Sequence, residues 1–153
     1  PFPGHGDVAA DSHVPLPVDT RPLAYILASD VAPFAALIDD GLGAIMPAHV
    51  VYPEVDESPA GFSHRWISNI LRERLRFDGL VFSDDLEMAG AHGAGDILAR
   101  ASAAVDAGCD VVLVCNDLAA AGQLLDRWRP APRPQLARRW TAMEGRGTGP
   151  PPF

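Results

Sequence analysis

The sequence is short of basic residues, of cysteine and of long apolar runs, and each shortage removes a class of function. Twelve Lys plus Arg face twenty Asp plus Glu, a net charge of -8, so no basic surface is available to neutralise phosphates and nucleic acid is not expected as a partner. No apolar run reaches the roughly 20 residues that cross a bilayer, and the chain does not open on a charged n-region followed by an apolar h-region. Neither membrane insertion nor secretion has support. The two cysteines, Cys109 and Cys115, are too few for a disulfide framework; in or beside the apolar stretch VVLVC, they read as small buried thiols in a reducing, cytoplasmic setting. No GxGxxG or GxxxxGK[ST] follows any candidate strand, which leaves dinucleotide and Walker-type phosphate sites without support. What is present is 153 residues, 48% hydrophobic and 21% charged, the balance of one soluble globular domain rather than a disordered or collagen-like chain. The opening PFPGHGD, with Pro1 first, reads as a segment that starts inside a motif.

After an irregular, Pro- and Asp-rich stretch over 1–22, short apolar strands alternate with amphipathic helices. Strands are expected at 44–50 (AIMPAHV), 79–85 (GLVFSDD) and 110–116 (DVVLVCN), and helices at 31–41, 64–77, 96–108 and 117–129. In the second helix Trp66, Ile67, Ile70, Leu71 and Leu75 gather on one face while Arg72, Glu73 and Arg76 fall largely on the other. The strands are nearly continuous apolar runs, the mark of parallel strands covered on both sides. Asp117 is placed to cap the fourth helix. The tail beyond it holds one short helix and then turns Pro- and Gly-rich, a composition expected to be disordered over the last eight or so residues. Strand starts recur about every 33 residues, the size of one βα unit in either a doubly wound sheet or a (β/α)8 barrel. Periodicity does not choose between them. In both, however, the active site lies at the C-terminal ends of strands, where His49, Asp84, Asp85 and Asn116 fall.

Three constellations carry possible chemistry. In PGHGDVAADSH, the residues His5, Asp7, Asp11 and His13 crowd into nine positions, dense enough for a catalytic or metal-binding loop rather than a solvated turn. Asp11 and His13 are one residue apart, so the carboxylate can reach the imidazole, fix its tautomer and raise its pKa, which suits a general acid near neutral pH. In FSDD, two adjacent strand residues point to opposite sides, so one carboxylate faces a cleft and the other the surrounding layer. Alternation leaves open which is which, and a capping role for either Asp remains an alternative. In MPAHVVYP, His49 ends a strand and Tyr52 opens the next loop; His49 reads as a structural or substrate-shaping residue. His64 reads as solvated, His92 as part of a mobile loop over the site, and Trp128 and Trp140 as packing residues.

The segments FPGHGDVAADSH, IMPAHV, LRERLRFDGLVFSDDLEM and DAGCDVVLVCN, in this order and spacing, closely resemble the bacterial β-N-acetylglucosaminidases (β-hexosaminidases) of glycoside hydrolase family 3, of the peptidoglycan-recycling type, over residues 2 to about 129. The resemblance implies an α/β fold, the C-terminal half of a (β/α)8 TIM barrel: parallel strands 6 to 8 with their helices, preceded by the catalytic loop after strand 5. Residues 1–129 would be this partial catalytic domain and 130–153 a C-terminal helix and Pro/Gly-rich tail. It implies that Asp84 is the nucleophile, that His13 is the acid/base with Asp11 as its dyad partner, in place of the usual second carboxylate, and that His5 and His49 contact the substrate. Of the family's Lys-His pair before Phe-Pro-Gly-His-Gly, the His position is occupied by Pro1 and the Lys position precedes the chain. No cofactor and no metal are implied. The expected activity is retaining, exo-acting removal of terminal β-linked GlcNAc from muropeptides or chitooligosaccharide-like substrates. The expected partner is the missing N-terminal half of the barrel, without which two strand edges stay open and the chain alone is expected to be unstable, aggregation-prone or dimeric. Two alternatives stand beside this reading: a metal-dependent hydrolase holding a divalent ion with His5, Asp7, Asp11 and His13, and a catalytically silent half barrel.

Overall fold

In the computed structural model, which describes residues 1–5 and 16–144, the expected alternation of strands and helices is present as a mixed α/β fold built on a parallel sheet. Its three strands, β1 (Ala44–Ile45), β4 (Leu80–Asp85) and β5 (Val111–Leu113), lie in the order β1-β4-β5. Ala44 pairs with Leu80 and Ile45 with Val81; Phe82 pairs with Val111 and Asp85 with Leu113, with a register shift between them. The irregularity is bridged by a side chain, because the buried Ser83 Oγ accepts the Leu113 N–H at 2.9 Å. A fourth line of chain extends the sheet beyond β1: Phe2 donates to the Met46 carbonyl and accepts from the Ala48 N–H, both at 2.7 Å.

Phe2 is one of the departures from the expected irregular 1–22. It is fully buried and meets Phe34 and Trp66 edge to face at 5.4 and 5.9 Å, and Tyr52 closes on the same Trp66 at 5.1 Å. These aromatics anchor the core, since each buries a large apolar surface in a preferred ring geometry. Further along, Val18 pairs with Val51. Two other elements stood outside the sequence reading: the short helix α1 (Leu23–Ala28), and an antiparallel ribbon of β2 (Val51–Tyr52) and β3 (Asp56–Pro59) where a loop was expected.

Helix α2 (Ala32–Asp39) leads into β1, a π-helix (Arg65–Arg74) leads into β4, α3 (Ile97–Ala107) into β5, and α4 (Leu118–Arg127) follows. The second helix therefore forms where expected but with a wider turn, closing with Leu75 N–H to Ile70 O across five residues. Trp66, Ile67, Ile70 and Leu71 still share its buried face. The ends of α3 are set by chemistry that is local in sequence. Asp96 accepts the Ala99 N–H at 2.9 Å, and Gly108 stops the helix at φ 121°, a conformation that favours glycine. Asp117 caps α4 as expected, accepting from Ala119 and Ala120.

The strands are shorter than the apolar runs, and β5 is half-exposed along its length rather than covered on both faces. Val112 and Val114 border an open groove of about 390 Å³ that continues onto Leu124, Leu125 and Trp128 of the α4 region. At the opposite end of the sheet, α5 (Pro134–Met143) is pinned by buried charge. Asp110, 5% exposed, receives Arg72 at 2.6 Å, Arg139 at 2.8 Å and the Val81 N–H at 3.0 Å, while Arg133 donates to the Cys109 and Asp110 carbonyls. Among the described residues no helix is long and apolar enough to cross a membrane.

Candidate active site

The C-terminal ends of β1 and β4 meet the start of the chain around a small pocket of about 40 Å³, lined by Pro1, His5, Pro17, Ala48, His49, Val50, Asp84, Met88 and Gly90. Three of the five residues singled out from the sequence, His5, His49 and Asp84, come together here. Asp11 and His13 lie outside the described residues, as does Asp7 of the alternative metal set. A pocket that would enclose a whole ligand spans roughly 300–1,000 Å³, so these residues form one wall of a site and not a closed pocket.

The two aspartates of FSDD diverge. Asp84 is half-exposed and faces the pocket, with Oδ1 accepting the Asp85 N–H at 2.9 Å. The Asp85 carboxylate turns to the loop after β5, where Oδ1 accepts the Cys115 N–H at 3.2 Å and Oδ2 accepts Asn116 Nδ2 at 3.2 Å; Oδ1 also takes the Glu87 N–H at 3.1 Å. Its acceptor sites are thus spent on the scaffold.

His49 follows β1 and is 5% exposed, its ring stacked on Phe62 at 5.1 Å with the planes 25° apart. Gly90 allows this close packing, since a Cβ there would lie 2.9 Å from the His49 Cβ. Nε2 lies 3.3 Å from the Asp85 carbonyl oxygen, an acceptor only, which places the proton on Nε2 and leaves the buried Nδ1 without a partner among the described residues. Burial pushes the His49 pKa below its ordinary value, outweighing the attraction of the nearby Asp84 and Asp85 charges.

His5 is exposed at the pocket rim. Its neighbour Gly4 is held by the Tyr52 hydroxyl, which donates to the Gly4 carbonyl at 2.8 Å. Where the described chain resumes, Val51 again supplies the anchor: its N–H reaches the Pro17 carbonyl at 2.9 Å and its carbonyl accepts the Asp19 N–H at 2.8 Å. Arg21 adds a clamp, bound to Asp19 through two nitrogens and to Asp30. The chain on both sides of residues 6–15 is thereby fastened to one two-residue strand. None of Tyr52, Arg21, Asp19 or Asp30 was a site candidate in the sequence: Tyr52 meets Gly4 across 48 positions, and the Arg21 clamp lies in a stretch read as irregular. The cluster around MPAHVVYP was the nearest signal.

The remaining candidates sit apart from the pocket lining. His92 is exposed in a 3₁₀ turn over Ala89–Ala94 and bonds the Glu87 carbonyl at 3.0 Å, and His64 is solvated as expected. Trp128 joins α4 to α3 through Ser102 at 3.1 Å, whereas Trp140 is 49% exposed and not the packing residue expected. Cys109 is buried but Cys115 is exposed, so the expectation of two buried thiols holds for one. Among the described residues no group of three or more His, Cys, Asp and Glu is arranged to hold a metal ion.

Residues 1–129 match the family described as the glycosyl hydrolase family 3 N terminal domain. A beta-hexosaminidase of Bordetella parapertussis is 67% identical over 126 residues, covering 82% of this chain and 36% of that protein. One of Chromobacterium violaceum is 55% identical over 145 residues, covering 95% and 41%. Among solved structures, NagZ from Neisseria gonorrhoeae in complex with N-trifluoroacetyl-D-glucosamine is 48% identical with a TM-score of 0.84, over 93% of this chain and 40% of that one. The chain therefore spans about two-fifths of the length of these relatives.

Proposed function

The chain belongs to glycosyl hydrolase family 3, and from that premise we propose that it carries the catalytic wall of a retaining exo-β-N-acetylglucosaminidase acting on peptidoglycan fragments, GlcNAc-anhydro-muropeptides above all. The observation that carries this reading is the divergence of the two aspartates: Asp84 faces the pocket at the end of β4 while Asp85 is committed to the scaffold. In the first step the Asp84 carboxylate attacks the anomeric carbon as the glycosidic bond breaks, and protonated His13 gives its proton to the departing oxygen. In the second, neutral His13 takes a proton from water, the water oxygen bonds to the anomeric carbon, and Asp84 leaves with the β configuration restored. Asp11 orients the His13 ring and stabilises its cation, as a triad carboxylate does. His5 and His49 shape the sugar side of the pocket. The beta-hexosaminidase relatives and the N-trifluoroacetyl-D-glucosamine complex support a 2-acetamido sugar as substrate.

The same proposal makes this chain the second half of a (β/α)8 barrel, partnered by the first half. Support comes from β5, whose half-exposed residues border an apolar groove, and from Leu118 and Leu125 on α4, 91% and 81% exposed. A further βα unit packed there would bury the apolar surface and pair the strand edge. Two unpaired cysteines suit a cytoplasmic setting.

The test is hydrolysis of 4-nitrophenyl N-acetyl-β-D-glucosaminide, followed by ¹H NMR, for the chain alone and for the chain joined to the N-terminal segment of the Bordetella parapertussis relative. The joined protein is expected to release the β-anomer first and to lose that activity in Asp84→Ala. Release of the α-anomer first, or activity indifferent to Asp84, would contradict the proposal.

A further inference from the structure

Residue 85 uses each of its polar groups on a different neighbour. Its N–H donates to Asp84 Oδ1 at 2.9 Å, its carbonyl accepts from the Met88 N–H at 3.1 Å and from His49 Nε2 at 3.3 Å, and its carboxylate collects the Glu87 and Cys115 amides and the Asn116 side chain at 3.1 to 3.2 Å. The loops after β1, β4 and β5 are therefore tied together at one residue. The Asp85 N–H lies in the peptide plane shared with the Asp84 carbonyl, and the Asp85 carbonyl in the next plane. The two meet at the Asp85 Cα, so with the side chain fixed to the β5 loop and the carbonyl to His49 and the Met88 N–H, the Cα and the N–H beside it are held in place. That N–H holds the Asp84 carboxylate. Three of the donors to the Asp85 carboxylate are N–H groups, and hydrogen bonds to an ionised carboxylate are roughly twice as strong as neutral ones. Its charge is satisfied by them, for no ion pair among the described residues involves Asp85.

We propose that Asp85 is a positioning residue, whose carboxylate, anchored on the loop after β5, aims the carboxylate of Asp84 at the reacting carbon. The inference rests on the reading of Asp84 as nucleophile and adds to it a role for the second aspartate of the motif. Asp85 touches no substrate; it acts through the backbone N–H that its anchored Cα carries. Misplacement of a reacting group by about 1 Å costs on the order of 100-fold in rate, which sets the size of the effect to look for.

The experiment measures inactivation by a 5-fluoro-N-acetylglucosaminyl fluoride in the joined protein, with wild type, Asp84→Ala, Asp85→Ala and Asp85→Asn side by side. Asp85→Ala is expected to lower the limiting inactivation rate about 100-fold with the inhibitor constant unchanged. Asp85→Asn, which keeps an oxygen for the Glu87 and Cys115 amides, is expected to recover most of that rate. A second measurement needs no activity: in the chain alone, the amide proton at position 85 is expected to exchange at least about tenfold faster in Asp85→Ala than in Asp85→Asn. An Asp85→Ala protein that inactivates as fast as wild type overturns the inference, as does one in which only the inhibitor constant rises, because the latter would make Asp85 a sugar contact. Equal exchange in the two variants overturns it too. Wild-type protein that takes no label removes instead the reading on which the inference stands, and the inference falls with it.

Discussion

His49 and Phe62 lie ring on ring, 5.1 Å apart and 25° from parallel, with one imidazole nitrogen on the Asp85 carbonyl and the other buried without a partner among the described residues. Such a ring is neutral in the folded protein, because protonation would bury a charge. Burial holds its pKa below 6.5 in the fold, whereas the unfolded chain titrates near that value. As pH falls the unfolded state therefore binds the proton first. The stability contributed by His49 is complete above about pH 6.5 and declines as pH falls toward the folded-state pKa. Thermal melts across this range are expected to lose more stability in wild type than in His49→Gln. Parallel pH curves for the two proteins would rule out a buried neutral His49.

The two cysteines are expected to differ in reactivity. Burial pushes the Cys109 thiol up to about 12, while Cys115 is exposed beside Asp85, with a more modest upward shift. The thiolate is the reacting species. Iodoacetamide at mildly alkaline pH should therefore label Cys115 in the native protein and Cys109 only after denaturation, as read by peptide mass. Native labelling of Cys109 would mean that the base of β5 opens.

Asp110 is the charge on which the docking of α5 depends, with Arg72 and Arg139 on its two oxygens. Removing one partner of a buried ionic cluster leaves the others uncompensated, at a cost of about 3–5 kcal/mol. Asp110→Ala is accordingly expected to lose stability on that scale in urea titrations. A loss below about 1 kcal/mol would show the cluster to be solvated.

The open groove beside β5 leads to an expectation for the chain by itself. Leu118 and Leu125 project from α4 at 91% and 81% exposure, and Leu125 lines the groove with Val112 and Val114; apolar surface of this kind drives association. Sedimentation velocity should find the 153-residue chain self-associated, and the double change Leu118→Glu, Leu125→Glu should shift it toward monomer. A wild-type monomer at high concentration would contradict the proposal that this face takes a further part of the barrel.

What the sequence made legible was what depends on neighbours within a few positions. The Asp117 cap was of this kind, as were the buried face of Trp66, Ile67, Ile70 and Leu71 and the strand that ends in FSDD. The divergence of Asp84 and Asp85 was foreseen as alternation, but its direction depends on where the β5 loop lies, which no local pattern specifies. Likewise Phe2 becomes core only because the β1 strand receives its backbone, and Tyr52 reaches Gly4 across 48 positions. The π-helix escaped notice because its buried residues also fit an α-helical face. Asp110 read as the plain start of a strand, since its arginines come from 38 residues before it and 29 after.

The most direct measurement is the site of covalent capture. The joined protein, incubated with a 5-fluoro-N-acetylglucosaminyl fluoride and digested, should carry one sugar on the peptide Phe77–Arg100, with fragment ions placing it on Asp84. No label should appear in Asp84→Ala. A sugar on Asp85, or a folded joined protein that takes none, would contradict the account.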